Sequence, residues 1–472
     1  MIYAIVLTPL ILGLLTCVMR QESMRRGVLV GTALVHVGLA AMCWMTPVSP
    51  VLRGWLSLDD LGRLFLSVTS VLFLLTAFYS IGYLRHRKHA DGVYVPCMLF
   101  FLAAMTMVSV SGHLGLLWIA IEATTLASAP LICLNRNARS LEAMWKYLLI
   151  CSVGIALALL GNFCFAAASI ENPLPMVLNE LMGGATSLQP AWLKAGFLCL
   201  LVGYGTKMGL APLHSWLPDA HSESPSSVSA LLSGALLNCA FLGILRSLQV
   251  CDAAGLGEFG RKLLLGFGLL SMFIAAIFIL HQVDYKRLLA YSSVEHMGIL
   301  AVGVGLGGLG GFGAMYHVVN HSLTKAMLFL VAGNILAAYR TKATATVQGV
   351  VSAMPLSGIL WIVGLLAITG SPPFSPFMSE LIILRSALEQ SRFVVAAVYL
   401  GLLAVIFMGM SQLILRMAQG PGPKDLEPGA ETSWTIIPPV LLGLAILVLG
   451  IWLPPFLADL LHSAAAIVGG TP

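Results

Sequence analysis

Apolar runs of about twenty residues, parted by short polar stretches, follow one another along nearly the whole chain. A helix needs roughly 20 mostly apolar residues to cross a bilayer, and by that measure about fourteen spans can be marked. Their cores are 2–19, 27–45, 61–84, 94–111, 113–134, 142–168, 191–211, 226–247, 262–280, 286–306, 311–338, 355–388, 393–415 and 435–457. The fourth and fifth are separated only by Gly112 and His113, and the twelfth is long because prolines interrupt it. The opening MIYAIVLTPLILGLLTCVM has no basic leader region or small-residue cleavage site, so it reads as a retained first span.

Composition removes the soluble alternatives. Hydrophobic residues make up 58% of the chain and charged residues 10%, with a mean hydropathy of +0.94. Soluble domains are roughly half apolar and a quarter charged. The chain therefore reads as an all-α polytopic membrane protein with no room for a soluble catalytic domain.

The formal charge of +5 matters through its sidedness. Basic residues follow alternate spans: Arg20, Arg25 and Arg26; Arg85, Arg87 and Lys88; Arg136 and Arg139; Lys286 and Arg287; Arg340 and Lys342; Arg416 and Lys424. The opposite loops are poorer in lysine and arginine and include Glu171 and Glu180, with Arg246, Arg261 and Lys262 as exceptions. The positive-inside rule then places both termini away from the cytoplasm.

Nine cysteines are scattered through apolar runs without a CxxC pair. They read as small core residues, and neither a metal nor another cofactor is expected. GVGLGGLGGFG at 303–313 contains a formal GxGxxG, but no strand precedes it, so it reads as a tight turn between closely packed spans. No basic, aromatic-laced patch points to nucleic acid.

Two spans are interrupted. The stretch 202–224, VGYGTKMGLAPLHSWLPDAHSES, carries Lys207 in an apolar run, and Pro212 is expected to break the helix five positions on. The twelfth span carries Pro372, Pro373 and Pro376. Equivalent breaks five spans apart must run in opposite directions, as in the inverted repeats of transporters. Accidental kinks, and a lysine snorkelling from a helix end, are the plainer readings.

Ionisable residues inside spans are costly and usually serve a pathway. Glu122, near the middle of the fifth span, is the natural partner for Lys207, either as a static ion pair or as a pair through which protonation at one site releases a proton from the other. His317, His321 and Lys325 recur every four residues, which at about 100° per residue stacks them on one helical face. Imidazole, with an unperturbed pKa near 6.5, suits a proton wire. Glu380 is a candidate far end of that wire or a partner for a helix dipole. Glu295 and His296 add a polar pair in the tenth span. His214, Asp219 and His221 fall at the mouth of the seventh span, as entrance groups or as solvated loop residues.

The segments LWIAIEATTLASAPL, GTKMGLAPLHSWLPDAHSESPSSVSALLSG, DYKRLLAYSSVEHMG and HSLTKAMLFLVAGN together resemble the antiporter-like proton-translocating subunits of respiratory complex I and the Mrp antiporters. The F-type membrane subunit of hydrogenase-4 and formate hydrogenlyase relatives is the nearest likeness, over roughly residues 60–415. The resemblance implies about fourteen transmembrane helices with two inverted five-helix repeats, each containing a broken helix. It divides the chain into 1–90, 91–253, 254–420 and 421–472: three leading helices, two repeats, and a final helix with its tail. It implies a first-half pair of Glu122 and Lys207, a central axis through His317, His321 and Lys325, and a terminal charge at Glu380. Asn238 departs from the pattern, standing where complex I relatives carry a central lysine; an amide cannot hold and release a proton in this pH range.

The expected function is that of a proton-translocating, non-redox subunit of a complex I-like oxidoreductase of the membrane-bound hydrogenase type, in a bacterial inner membrane. Its expected partners are other membrane-arm subunits, a peripheral hydrogenase-like or quinone-reductase-like redox module, and the lipid bilayer, with no nucleic acid. The alternatives are an Mrp-type cation/proton antiporter subunit and a non-conducting scaffold.

Overall fold

The computed structural model describes residues 1–85, 91–422 and 431–469, with the side chain of Asp91 set aside; Arg87, Lys88 and Lys424 of the basic loops lie outside the described residues. In chain order the helices are α1 (Ile2–Val18), α2 (Glu22–Met45), α3 (Asp60–Arg85), α4 (Asp91–Val110), α5 (Leu114–Ile132), α6 (Ala138–Ala168), α7 (Leu178–Gly183), α8 (Pro190–Met208), α9 (Trp216–Glu223) and α10 (Ser226–Leu231). There follow α11 (Leu237–Ala253), α12 (Gly257–Ile279), α13 (Tyr285–Leu306), α14 (Leu309–Tyr339), α15 (Val350–Ala353), α16 (Pro355–Ile368), α17 (Ser375–Glu389), α18 (Phe393–Ala418), α19 (Ser433–Ile451) and α20 (Pro455–Ile467). Among the described residues the only strand-like pairings are isolated bridges. With no water to satisfy backbone groups in a bilayer, closing every hydrogen bond within helices is what such a sequence must do.

Among the described residues eleven helical stretches are long and apolar enough to cross a membrane: α2, α3, residues 92–110 of α4, α5, α6, the continuous Ser226–Ala253, α12, α13, α14, α18 and α19. Of the remaining apolar runs, α1 and α16 are shorter helices and α8 carries two lysines. Burial separates an axis from a shell. The hydropathic window of Ser226–Ala253 is wholly enclosed and that of α13 nearly so, whereas only a third of the window in each of α2, α18 and α19 is covered. Leu141, Trp145, Leu149, Val153, Leu160 and Phe163 form an outward apolar stripe on α6 that fits hydrocarbon.

Close approaches fix two helix pairs. A Cβ on Gly203 of α8 would sit 2.6 Å from the Ala158 nitrogen of α6, and one on Gly298 of α13 would sit 2.7 Å from the Gly268 carbonyl oxygen of α12. Small residues at these points let backbones touch where lipid offers no hydrophobic drive.

The helix starts follow from local chemistry. His113 caps α5 by accepting from the Gly115 and Leu116 amides, and Asp284 caps α13 by accepting from the Lys286 and Arg287 amides. The glycine-rich stretch is the expected tight turn, with Gly307 and Gly308 between α13 and α14.

Both interrupted spans are broken, but the first not where the proline stands. α8 ends at Met208 because Gly209 takes the left-handed conformation, φ 87°, and its amide closes the last turn on the Gly205 and Thr206 carbonyls. Pro212 lies three residues further, in the turn leading to α9. In the twelfth span α16 stops at Ile368, Gly370 has φ 61°, and α17 restarts with Pro376 in its first turn, where a missing amide hydrogen costs nothing.

One irregularity has no counterpart in the expected pattern. The eighth span is not one α-helix, because Leu232–Leu236 form a π-helical turn between α10 and α11. Such turns are rare and tend to occur at functional sites.

The three exceptions to the charge asymmetry are each matched by an acid. Arg246 grips Asp59 with both terminal nitrogens, at 2.5 and 2.6 Å. Arg261 meets Asp252 at 2.8 Å and Lys262 meets Glu258 at 2.7 Å. Arg246 is 3% exposed and Asp59 38%. Asp59→Ala therefore strands a buried guanidinium and is expected to cost about 2 kcal/mol, less than a fully buried pair because the acid is partly solvated. A fall in the thermal unfolding midpoint of the purified protein checks this; an unchanged midpoint contradicts it.

Candidate functional site

Lys207 occupies the last turn of α8 and is fully buried, so it does not reach a surface. Its Nζ donates to the Ile121 carbonyl at 2.5 Å and to the Thr125 hydroxyl. The expected direct pairing with Glu122 is absent: Thr125 stands between them and donates to Glu122 Oε2 at 3.1 Å. The reason is helical phase. Glu122 is one residue past Ile121 on α5, about 100° further round, and it turns toward α6, where Ser152 donates to Oε1 at 3.4 Å. The half-buried carboxylate and the enclosed ammonium are thus joined through a hydroxyl.

The second half is denser. His317, His321 and Lys325 all lie buried on α14. His296 from α13 sits between the two histidine rings, 5.0 Å from each by ring centres, and its Nδ1 is 2.9 Å from His317 Nε2. His317 Nδ1 makes a 2.9 Å hydrogen bond with Ser379 Oγ of α17. Neither ring nitrogen of His321 has a hydrogen-bond partner, nor has Glu295 Oε2. Lys325 repeats the bonding of Lys207: its Nζ donates to the Leu289 carbonyl at 2.7 Å and to Ser292 Oγ at 2.5 Å.

Glu380 lies in the second turn of α17, past the first turn where a helix dipole acts most strongly. It is 6% exposed. Its Oε2 packs against Gly370, so closely that a Cβ there would be 2.0 Å away. Its Oε1 has no partner. Beside it a cleft of about 280 Å³ opens between α17 and α18, lined by Gly370, Pro372, Phe377, Tyr399 and Phe407 among others.

Asn238 links the halves. It opens α11 just after the π-turn, and its Nδ2 donates to the Gly234 carbonyl and to Ser322 Oγ of α14, both at 2.8 Å. Its Oδ1 has no partner. Ser233, within the π-turn, meets Ser293 of α13 at 2.8 Å. The wide turn thus aims two polar groups at the axis from consecutive turns.

Of the three residues expected at the mouth of the seventh span, the two histidines are buried and Asp219 is partly exposed. His221 is fully buried, stacked on Phe329 at 4.9 Å, with both ring nitrogens unpartnered. His214 is 8% exposed. Asp219 pairs with Lys146 at 3.0 Å and Arg287 at 2.5 Å. Lys286, expected in a loop, is instead buried and donates to the Ser224 carbonyl at 2.6 Å, while Lys342 meets Glu223 at 2.7 Å. Basic residues from two connections, together with Lys146 of α6, therefore gather round α9.

Sequence reasoning missed the hydroxyls. Thr125 and Ser292 each lie three residues from a glutamate within a span, and that spacing on an apolar helix is the signal that was available. Ser379 and Asn320, which donates to the Ser375 carbonyl at 2.8 Å, tie α14 to the restart of α17 and had no such signal.

The family described as NADH:quinone oxidoreductase/Mrp antiporter, TM, matches residues 111–407. A hydrogenase-4 component F homolog of Methylacidiphilum infernorum is 36% identical over 409 residues, covering 84% of this chain and 85% of that one. Hydrogenase-4 component B of Escherichia coli is 29% identical over 458 residues, covering 91% and 67%. A chain of the membrane-bound sulfane sulfur reductase, an archaeal respiratory membrane complex, superimposes with a TM-score of 0.90 at 22% identity, covering 99% and 98%; at that identity the likeness concerns the fold.

Proposed function

Because this chain belongs to the NADH:quinone oxidoreductase/Mrp antiporter family of membrane subunits, we propose that it is a proton-translocating subunit of a complex I-like, redox-driven assembly of the membrane-bound hydrogenase type. Its partners are neighbouring membrane-arm subunits and a peripheral redox module that supplies electrons and energy. The chain sits in a bacterial plasma membrane with both termini away from the cytoplasm. In support of that orientation, Arg287, Lys286 and Lys342 gather at one end of the bundle. The fold is read as fourteen spans, with α4–α11 and α12–α18 as inverted repeats between 1–90 and 421–472. Breaks after Met208 and Ile368, and buried or half-buried glutamates on both α5 and α13, favour that division.

One observation carries the reading: buried or half-buried acids, bases and hydroxyls occur in both halves of the bundle, Glu122, Thr125 and Lys207 in the first and Glu295, Lys325, His317 and Glu380 in the second. In the proposed route Glu122 exchanges a proton with Lys207 through Thr125. Asn238 and Ser322 bridge to Lys325, with Glu295 as its acid, and His321, His296 and His317 lead on to Glu380. His221 lies between the basic end of the bundle and Lys325 and serves as an inlet, with His214 and Asp219 near its mouth. Titratable groups pass protons and the amide of Asn238 cannot, so water must cover that step.

Sodium coupling would need oxygen ligands collected round one point, whereas this axis is mostly nitrogen and hydroxyl. The test is electron-driven acidification in vesicles holding the assembled complex, with sodium replaced by choline. Proton movement is expected to continue. Loss of it on sodium removal would favour the cation/proton antiporter alternative. Glu122→Gln is expected to slow acidification about tenfold, less than loss of either lysine, because Glu122 reaches Lys207 only through a hydroxyl. Unchanged acidification would remove Glu122 from the route.

A further inference from the structure

We propose that His296, His317 and Glu380 form a buried binding site for a first-row divalent transition metal, Zn²⁺ foremost, which competes with protons for the same atoms. One ligand atom from each residue lies within 4.8 Å of the others, and all three side chains are buried. Tetrahedral zinc with bonds of about 2.0–2.1 Å holds its donors roughly 3.4 Å apart, so a shift of under an ångström at each side chain closes the set. Two imidazoles and a carboxylate leave the fourth position to water, and this nitrogen-rich set favours zinc or its neighbours over magnesium or calcium.

Two further observations point to a ligand. Glu380 Oε1 is buried without a hydrogen-bond partner. An oxygen left unsatisfied there carries a desolvation cost that a bound cation relieves. His317 is also oriented in the manner of metal-bound histidines. Its Nδ1 is tied to Ser379 Oγ at 2.9 Å, and Ser379 donates onward to the Pro376 carbonyl, so Nε2 is the nitrogen that faces His296. A hydrogen bond on the far nitrogen fixes the tautomer and the ring plane of a ligating imidazole. The cleft beside Gly370 and Tyr399 reaches Glu380.

The cysteines gave no reason to expect a metal here, and the three donors lie on α13, α14 and α17, 84 positions apart at the extremes, so no spacing in the chain announces them. Binding stands apart from the transport reading; blockade of proton movement by the metal rests on it.

The test uses the assembled complex in metal-free buffer, titrated with Co²⁺ as a spectroscopic probe and then with Zn²⁺. The visible bands of tetrahedral Co²⁺ are expected in the wild type, displaced by Zn²⁺, and lost in His296→Gln with subunit content unchanged. Glu380→Gln is expected to weaken Zn²⁺ about ten- to a hundredfold, and Ser379→Ala by a smaller factor with the bands retained. Zinc sites on partner subunits would survive all three substitutions. The proposal is overturned if the bands do not form, or if bands and Zn²⁺ affinity are the same in the wild type and both ligand variants. A wild type that binds Zn²⁺ as expected yet pumps unchanged would keep the site and remove it from the proton route.

Discussion

Assembled complex carrying Lys207→Ala or Lys325→Ala is expected to acidify vesicles at about a hundredth of the wild-type rate or less, while electron transfer by the redox module continues. Each lysine is fully buried, so neither substitution acts through the surface. Each Nζ is held by one carbonyl and one hydroxyl, from Ile121 and Thr125 in the first half and from Leu289 and Ser292 in the second. Alanine removes the ammonium from each cradle, and the hydroxyl and carbonyl left behind cannot take up its proton in this pH range. A purely structural role would show instead as lost assembly, read from the subunit content of the purified complex. Wild-type acidification by an intact complex with either substitution would end the transport reading.

The second large effect is expected from a residue with no ionisable group. Gly370→Ala places a Cβ 2.0 Å from Glu380 Oε2 at a position where φ is 61°. The left-handed backbone costs an alanine about 1–2 kcal/mol, and the overlap is relieved only if the carboxylate turns away from the break between α16 and α17. Proton movement is then expected to fall about tenfold or more, approaching that of Glu380→Gln. Acidification equal to wild type would mean that the orientation of the Glu380 carboxylate does not matter. An Ala substitution at Gly401, whose Cβ would meet open space, is the control expected to leave the rate unaltered.

Helices were legible from the apolar runs because every backbone group in hydrocarbon needs an internal partner, which leaves little else for such runs to form. Their interruptions were legible only approximately. Pro212 drew attention to the seventh span, but Gly209, with no Cβ to resist the left-handed turn, ends the helix. The π-turn at Leu232–Leu236 left no mark in LSGAL, since one extra residue in a turn alters phase without altering hydropathy. In the site, His317, His321 and Lys325 could be read together because they share one helix and its period. His296, Ser379 and Glu380 meet them across helix contacts, and contacts between distant segments are not written in local spacing. The same limit explains Glu122 and Lys207, brought near each other but separated by Thr125.

The bonding of the two lysines bears on how they change charge. A carboxylate placed against an ammonium locks in the ionised form, since removing the proton forfeits the whole Coulomb attraction. Thr125 and Ser292 are neutral rotors: the hydroxyl accepts from the ammonium and, swung about its C–O bond, donates to the free amine. Each cradle therefore keeps a hydrogen bond in either charge state, and the lysine above it can discharge and reload without stranding the oxygen beneath.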